Sequence, residues 1–243
     1  MYLCRYYGKK VIILLDEYDT PMQEAYLNGY WEQFLAFMRS LFNASFKTNP
    51  YLERAVMTGI TRVSKESIFS DLNNLRVVTT TSDLYADCFG FTEEEVFDSL
   101  EKFGMSDKKE LVKNWYDGFT FGKYRDIYNP WSLLNYADTQ KLISFWVNTS
   151  ANSMIKNALK QADYTFKNQY DKLIKESKLD TYVSMQTSFF EEANNSTLWG
   201  LFVNAGYLTV TKEINLLKGK YRIEIPNEEV KQEFIKLTEY QLG

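Results

Sequence analysis

Asp16 and Glu17 stand side by side directly after Val11-Ile12-Ile13-Leu14-Leu15. Two adjacent carboxylates at the end of an apolar run suit a particular chemistry. The first acid holds a divalent cation, usually through water, and the second polarises a water for attack on a phosphoryl group. The competing reading is a core strand that leaves its sheet through a solvated acidic turn. Further along, Arg62 and Lys65 supply cations. These too carry two readings: a phosphate-sensing cluster beside a metal site, or a surface salt-bridge network worth little energy. The chain has no histidine, which excludes Ser-His-Asp and Cys-His nucleophile systems and every zinc site built on His. Cys4 and Cys88 are too few for a disulfide framework or a Cys-rich zinc site.

The elements that must position these groups follow from the pattern. Residues 11–15 hold five large apolar residues, three of them β-branched, between Gly8 and Pro21. They read as a strand buried on both faces of a sheet. Tyr30, Phe34, Phe37, Met38, Leu41 and Phe42 fall at helical spacings within residues 22–47, and Asn49-Pro50 stops that pattern. A second strand is expected over residues 54–60. Strand, helix, strand makes a right-handed βαβ unit with parallel strands. Their carboxyl ends then share one rim, where ligands bind in open α/β sheets. Asp16, Glu17 and the residues after Ile60 are thereby expected to be neighbours.

Beyond that unit, Val77 to Thr81 reads as a short strand. Thr92-Glu93-Glu94-Glu95 forms a capping box ahead of a helix, and a second helix is expected from about Asp107 to Trp115. Residues 116–128 read as a turn or short hairpin. Asn129-Pro130 supplies an N-cap and a first-turn proline, and helices dominate from there to residue 180. Residues 195–204 read as a helix. The alternating stretches 207–211 and 221–225 read as strands, with Pro226-Asn227-Glu228-Glu229 opening a terminal helix. Helix, hairpin and helix suggest part of a winged-helix module. Its hairpin carries Lys212, Lys218, Lys220 and Arg222 against Glu213 and Glu224, so a structural wing is preferred and nucleic-acid binding is only weakly supported.

A length of 243 residues, 45% apolar and 25% charged, describes a globular chain with one large domain or two modest ones. No apolar run approaches the ~20 residues of a membrane span, and no signal peptide precedes the first strand. A cytoplasmic protein is expected. The net charge of −4 argues against a generally basic nucleic-acid binder.

Taken together, these landmarks resemble the bacterial AAA-ATPase-like proteins, P-loop NTPases often fused to a C-terminal nuclease-like domain of the PD-(D/E)XK type. The matching segments begin with Leu15-Asp16-Glu17-Tyr18-Asp19-Thr20-Pro21 and Thr58-Gly59-Ile60-Thr61-Arg62-Val63-Ser64. Ser67 to Leu75 and Cys88 to Val96 follow. Further matches are Trp115-Tyr116-Asp117-Gly118-Phe119, Tyr128-Asn129-Pro130-Trp131-Ser132, Ala205-Gly206-Tyr207-Leu208-Thr209 and Ile225-Pro226-Asn227-Glu228-Glu229-Val230.

The resemblance implies an α/β fold: a partial P-loop NTPase parallel sheet with a helical lid and a small winged-helix-like C-terminal part. The expected division is 1–91 for the NTPase core, 92–180 for the lid and 181–243 for the end. It implies Mg²⁺ and ATP as cofactors. Asp16, the second-motif (Walker B) acid, positions the metal, Glu17 orients water, Arg62 senses the γ-phosphate, and Asp19 and Lys65 complete the cofactor site. Two family parts are missing. No G-x-x-x-x-G-K-[ST] loop occurs, since neither Gly8-Lys9-Lys10 nor Gly122-Lys123-Tyr124 fits it, and no nuclease-like site is found. The chain is therefore expected to be a truncated AAA-ATPase-like domain that binds ATP·Mg²⁺ weakly or not at all and does not hydrolyse it by itself. The alternative is a non-enzymatic protein- or nucleic-acid-interaction module. A sheet edge left open by an absent first strand is expected to promote self-association.

Overall fold

The computed structural model describes residues 1–60, 72, 74–146, 155–156, 159–160, 162–185 and 194–242. It is a mixed α/β chain that divides into two compact units, Met1–Val77 and a second unit holding Val78–Met185 and the described residues from 194 onward.

The first unit runs α1 (Tyr2–Tyr7), β1 (Val11–Leu15), α2 (Thr20–Leu27), α3 (Trp31–Phe46) and β2 (Leu52–Met57). β1 and β2 pair in parallel as a two-stranded sheet, with Leu15 opposite Met57. The expected single helix over residues 22–47 is two helices. Asn28 and Gly29 break it, Gly29 taking φ 76°, a conformation open to glycine because it has no Cβ. Met22, Leu35, Met38, Phe42 and Phe46 are buried against Ile13, Leu15 and Met57. The opposite face of the sheet stays open: Ile12 is 57% exposed, Leu14 77% and Val56 47%. Among the described residues β1 is thus covered on one face. Its continuous apolar run hides a period-2 burial pattern, because helices pack on just one side of it.

The second unit carries two three-stranded antiparallel sheets. One has the order β3 (Phe91–Thr92), β5 (Tyr124–Tyr128), β4 (Phe119–Phe121). The other has the order β6 (Lys178–Tyr182), β8 (Lys220–Glu224), β7 (Thr209–Asn215). The Thr209 hydroxyl receives the Thr120 N–H at 2.8 Å, tying β4 to β7. The helices are α4 (Glu93–Lys102), α5 (Lys109–Tyr116), α6 (Pro130–Thr139), α7 (Tyr164–Glu176), α8 (Asn195–Asn204) and α9 (Glu228–Leu242).

Local chemistry places most of these boundaries. The Thr92 and Glu95 side chains cap α4 reciprocally, and Asn129 accepts from the N–H groups of Trp131 and Ser132 with Pro130 in the first turn of α6. The core gathers aromatic rings. Phe166 lies 4.3 Å from Trp199 centroid to centroid, and Phe202 packs on Phe234 at 5.6 Å, each ring bringing a large apolar area out of water. The expected strand at 77–81 is irregular chain that leads into a turn at Thr80 and Thr81. Ser82 Oγ receives the Thr79 N–H, and the Thr79 hydroxyl reaches Thr81 and Ser82. Such local hydroxyl bonds offer the backbone an alternative to a sheet ladder. Among the described residues no helix is long and apolar enough to cross a membrane.

Candidate functional site

Parallel register builds the rim. With Leu15 opposite Met57, the next residues on each strand, Asp16 and Thr58, come side by side. The Thr58 hydroxyl donates to Asp16 Oδ1. Glu17 N–H lies 3.1 Å from that same oxygen and 3.2 Å from Thr58 Oγ1. Backbone bonds continue the pairing past the strand ends: Thr58 N–H donates to Leu15 O at 2.9 Å, and Tyr18 N–H donates to Thr58 O at 3.0 Å. One oxygen of Asp16 is thus fixed, while Oδ2 has no hydrogen-bond partner among the described residues.

Glu17 leaves the strand in the left-handed region, at φ 50°. A non-glycine residue there is uncommon and costs of order 1 kcal/mol or more. A short turn holds it. Thr20 N–H donates to Glu17 O at 3.1 Å, and the Thr20 hydroxyl donates to Glu17 Oε2 at 3.3 Å. The two acids are therefore oriented differently, one braced across the sheet and the other turned toward the start of α2.

Asp19 precedes α2 and is 1% exposed. Its Oδ2 receives Gln23 Nε2 at 3.3 Å, and its backbone carbonyl accepts from Met22 and Gln23 N–H. Gly59 makes room for it, since a Cβ there would lie 2.6 Å from Asp19 Oδ1 and 2.8 Å from Tyr18 Cε1. Asp16, Glu17 and Asp19 are thus brought onto one rim with Thr58 and Gly59. Arg62 and Lys65 lie outside the described residues. Sequence reasoning missed Thr58 as the residue that holds Asp16. The available signal was its place directly after the second strand of a parallel pair.

The donor set of carboxylate and hydroxyl oxygens is of the kind that hard cations such as Mg²⁺ take. Among the described residues no group of three acidic, histidine or cysteine side chains forms a metal cage.

In the second unit, several segments quoted for the resemblance meet as a structural knot. Asn227 Nδ2 donates to Asp117 O at 2.6 Å. Gly118, at φ 95°, passes so close to Pro226 O that a Cβ would lie 2.0 Å away. Glu229 is buried, and its carboxylate accepts from the Ser132 hydroxyl at 2.7 Å, Phe145 N–H at 2.7 Å and Trp146 N–H at 3.0 Å. Burial raises its pKa against those bonds, which favour the charged form. Asp117 is also buried, beside a Lys113 ammonium that Glu93 and Asp126 share. Burial pushes its carboxyl up to about 6, only partly offset by the Gly118 N–H and Lys113.

Residues 1–69 match the model of a family described as a predicted AAA-ATPase. A protein described as "Uncharacterized protein in vnfD 5'region", from Azotobacter chroococcum mcd 1, is 27% identical over 229 residues. The alignment covers 92% of this chain and 42% of that relative, so the chain spans about two-fifths of the relative's length. No solved structure matches the chain. The family match falls on the first unit and takes in the whole Asp16–Gly59 rim.

Proposed function

We propose that residues 1–77 form the metal-and-water half of an AAA-type ATP-hydrolysing site, and that the 243-residue polypeptide alone does not turn over ATP. The observation that carries this is Asp16 at the carboxyl end of a parallel strand, with one oxygen fixed by Thr58 and the other without a hydrogen-bond partner among the described residues. The match of residues 1–69 to a predicted AAA-ATPase family supports it. When bound, Mg²⁺ would neutralise charge on the phosphates. In the proposed roles, Asp16 accepts hydrogen bonds from the cation's waters and Thr58 keeps that carboxylate aimed. Glu17 orients the attacking water, Asp19 braces the turn against Gly59, and Arg62 and Lys65 meet the phosphates. The chain's own sequence contains no G-x-x-x-x-G-K-[ST] loop, and without such backbone N–H groups and lysine a triphosphate is poorly held.

The experiment is calorimetric titration of ATP·Mg²⁺ into the purified chain, paired with a phosphate-release assay. The expected result is no micromolar binding and no release above background. Micromolar binding, or turnover lost in Glu17→Gln, would show a complete enzyme and refute the second half of the proposal.

A second reading, an interaction module that pairs with another copy of the chain, is favoured by the sheet of the first unit. β1 and β2 pair only with each other among the described residues, and Ile12, Leu14 and Val56 are exposed on one face. Open edges with an apolar face invite strand addition. Sedimentation velocity across a hundredfold concentration range should show association that Leu14→Lys abolishes. A monomer at every concentration would eliminate this reading.

A further inference from the structure

The second unit contains a cleft of about 420 Å³ where the β4–β5 turn, the loop before β3 and strand β7 meet. That volume is in the range of small-molecule sites, but the lining differs from the usual apolar pocket. Lys123, Arg125 and Lys212 stand on its rim, all exposed, and none has a carboxylate within ion-pair distance among the described residues. These three cations outnumber the two carboxylates of the same lining, Asp83 and Glu213, so the cleft has a positive end within a chain of net charge −4. Such groups hold a phosphate through charge-assisted hydrogen bonds, the guanidinium in two-pronged fashion.

The rest of the lining says what the phosphate would be attached to. Asp83 and Glu213 are hydrogen-bond acceptors when ionised, fit to receive the hydroxyl protons of a ligand. Thr80, Thr81, Thr120 and Thr211 add hydroxyls. The Thr80 hydroxyl oxygen is buried and has no hydrogen-bond partner among the described residues, a deficit of the kind that an ordered water usually fills. Val210 is the single aliphatic side chain in the lining and no aromatic ring belongs to it, so a nucleobase would find no aromatic platform there.

The turn is shaped for this approach. Gly122, at φ 51°, donates its N–H to Thr80 O at 2.8 Å, and a Cβ on it would lie 2.5 Å from Ser82 O and 2.7 Å from Asp83 Oδ1. The close contact carries Lys123 to the cleft's edge. Arg125 is steadied from the other side by a 3.5 Å bond from Nη2 to Thr211 O.

We propose that this cleft binds a small phosphorylated sugar or polyol, with Lys123, Arg125 and Lys212 on the phosphate and Asp83 and Glu213 on the hydroxyls. It is independent of the nucleotide reading above, being in the other unit and lacking an aromatic platform for a base.

The test titrates the full chain with ribose 5-phosphate, ribose, inorganic phosphate and a ten-residue oligothymidylate, following amide chemical shifts by NMR. Saturable binding is expected for ribose 5-phosphate, with residues 80–83, 122–125 and 210–213 shifting and no binding of ribose. Arg125→Met is expected to weaken it about tenfold or more, as loss of a charge-assisted pair does. Lys123→Met and Lys212→Met serve the same end should Arg125→Met fail to fold. Asp83→Asn should weaken ribose 5-phosphate and spare inorganic phosphate. No saturable binding at millimolar ligand, affinity indifferent to all three cation variants, or inorganic phosphate bound as tightly as the sugar phosphate would overturn the proposal. Tighter binding of the oligonucleotide, displacing ribose 5-phosphate, would replace it with a nucleic-acid surface.

Discussion

Asp117 shows how a single buried acid sets a pH dependence. It is 4% exposed, its Oδ1 has no hydrogen-bond partner among the described residues, and its carboxyl is pushed from 3.8 up to about 6 chiefly by burial. A raised folded-state pKa means the folded protein binds the proton more tightly than the unfolded chain does. Asp117 therefore contributes stability that is complete below about pH 4 and lost as pH rises through about 6. Asp117→Asn keeps the shape and an acceptor for the Gly118 N–H while removing the charge. We expect it to stabilise the protein at pH 7 by on the order of 2 kcal/mol, with little effect at pH 4. Urea titrations of both proteins at the two pH values check this, and equal gains at both would show that the ionisation is not the cause. Gly59 makes the matching point for the candidate site. Alanine there would push on Tyr18 and the buried Asp19, and overpacking of this sort costs about 1–3 kcal/mol. Gly59→Ala is expected to lower the denaturation midpoint, whereas an unchanged midpoint would mean the turn yields freely.

At the scale of elements, the sequence spoke most clearly where one physical signal acted alone. The run Val11 to Leu15, the Thr92–Glu95 box and Asn129-Pro130 each placed an element within a residue or two of where it lies. The parallel pairing of β1 and β2 followed from strand, helix, strand order. Signals in competition misled. Val77 to Thr81 has β-branched residues, but the hydroxyls of Thr79 and Ser82 bond locally and win. β6 was hidden because Lys178-Leu179-Asp180-Thr181-Tyr182 follows α7 with only Ser177 between them. Its partner β8 supplies what the strand's sequence lacks, including the Asp180–Arg222 ion pair at 2.7 Å. One-sided burial of β1 was equally illegible, since nothing in a five-residue apolar run tells whether helices cover one face or two. The acid pair was legible as two carboxylates at the end of a strand, which is where the structure places them. Its brace, Thr58, required the register between two strands forty residues apart in the chain.

The two units are packed unequally among their described residues. The second unit closes around Phe166, Trp199, Phe202, Tyr207 and Phe234, each essentially buried and in ring-to-ring contact, and both its sheets have three strands. The first unit rests on one layer of helices against a two-stranded sheet whose other face exposes Ile12, Leu14 and Val56. Sheets of two strands are marginal without further packing, and local opening free energies track buried apolar contact. Hydrogen exchange followed by mass spectrometry should therefore find the amides of β1 and β2 exchanging faster than those of α8 and β8, by a factor of about a hundred or more if opening differs by roughly 3 kcal/mol. Adding ATP·Mg²⁺ should leave the β1 and β2 rates unchanged, because a ligand stabilises only the state that binds it. Equal protection in the two units would show that the open face of β1 and β2 carries no penalty. Slowing confined to residues 11–20 and 52–59 on adding the nucleotide would place a competent site on the Asp16 rim after all.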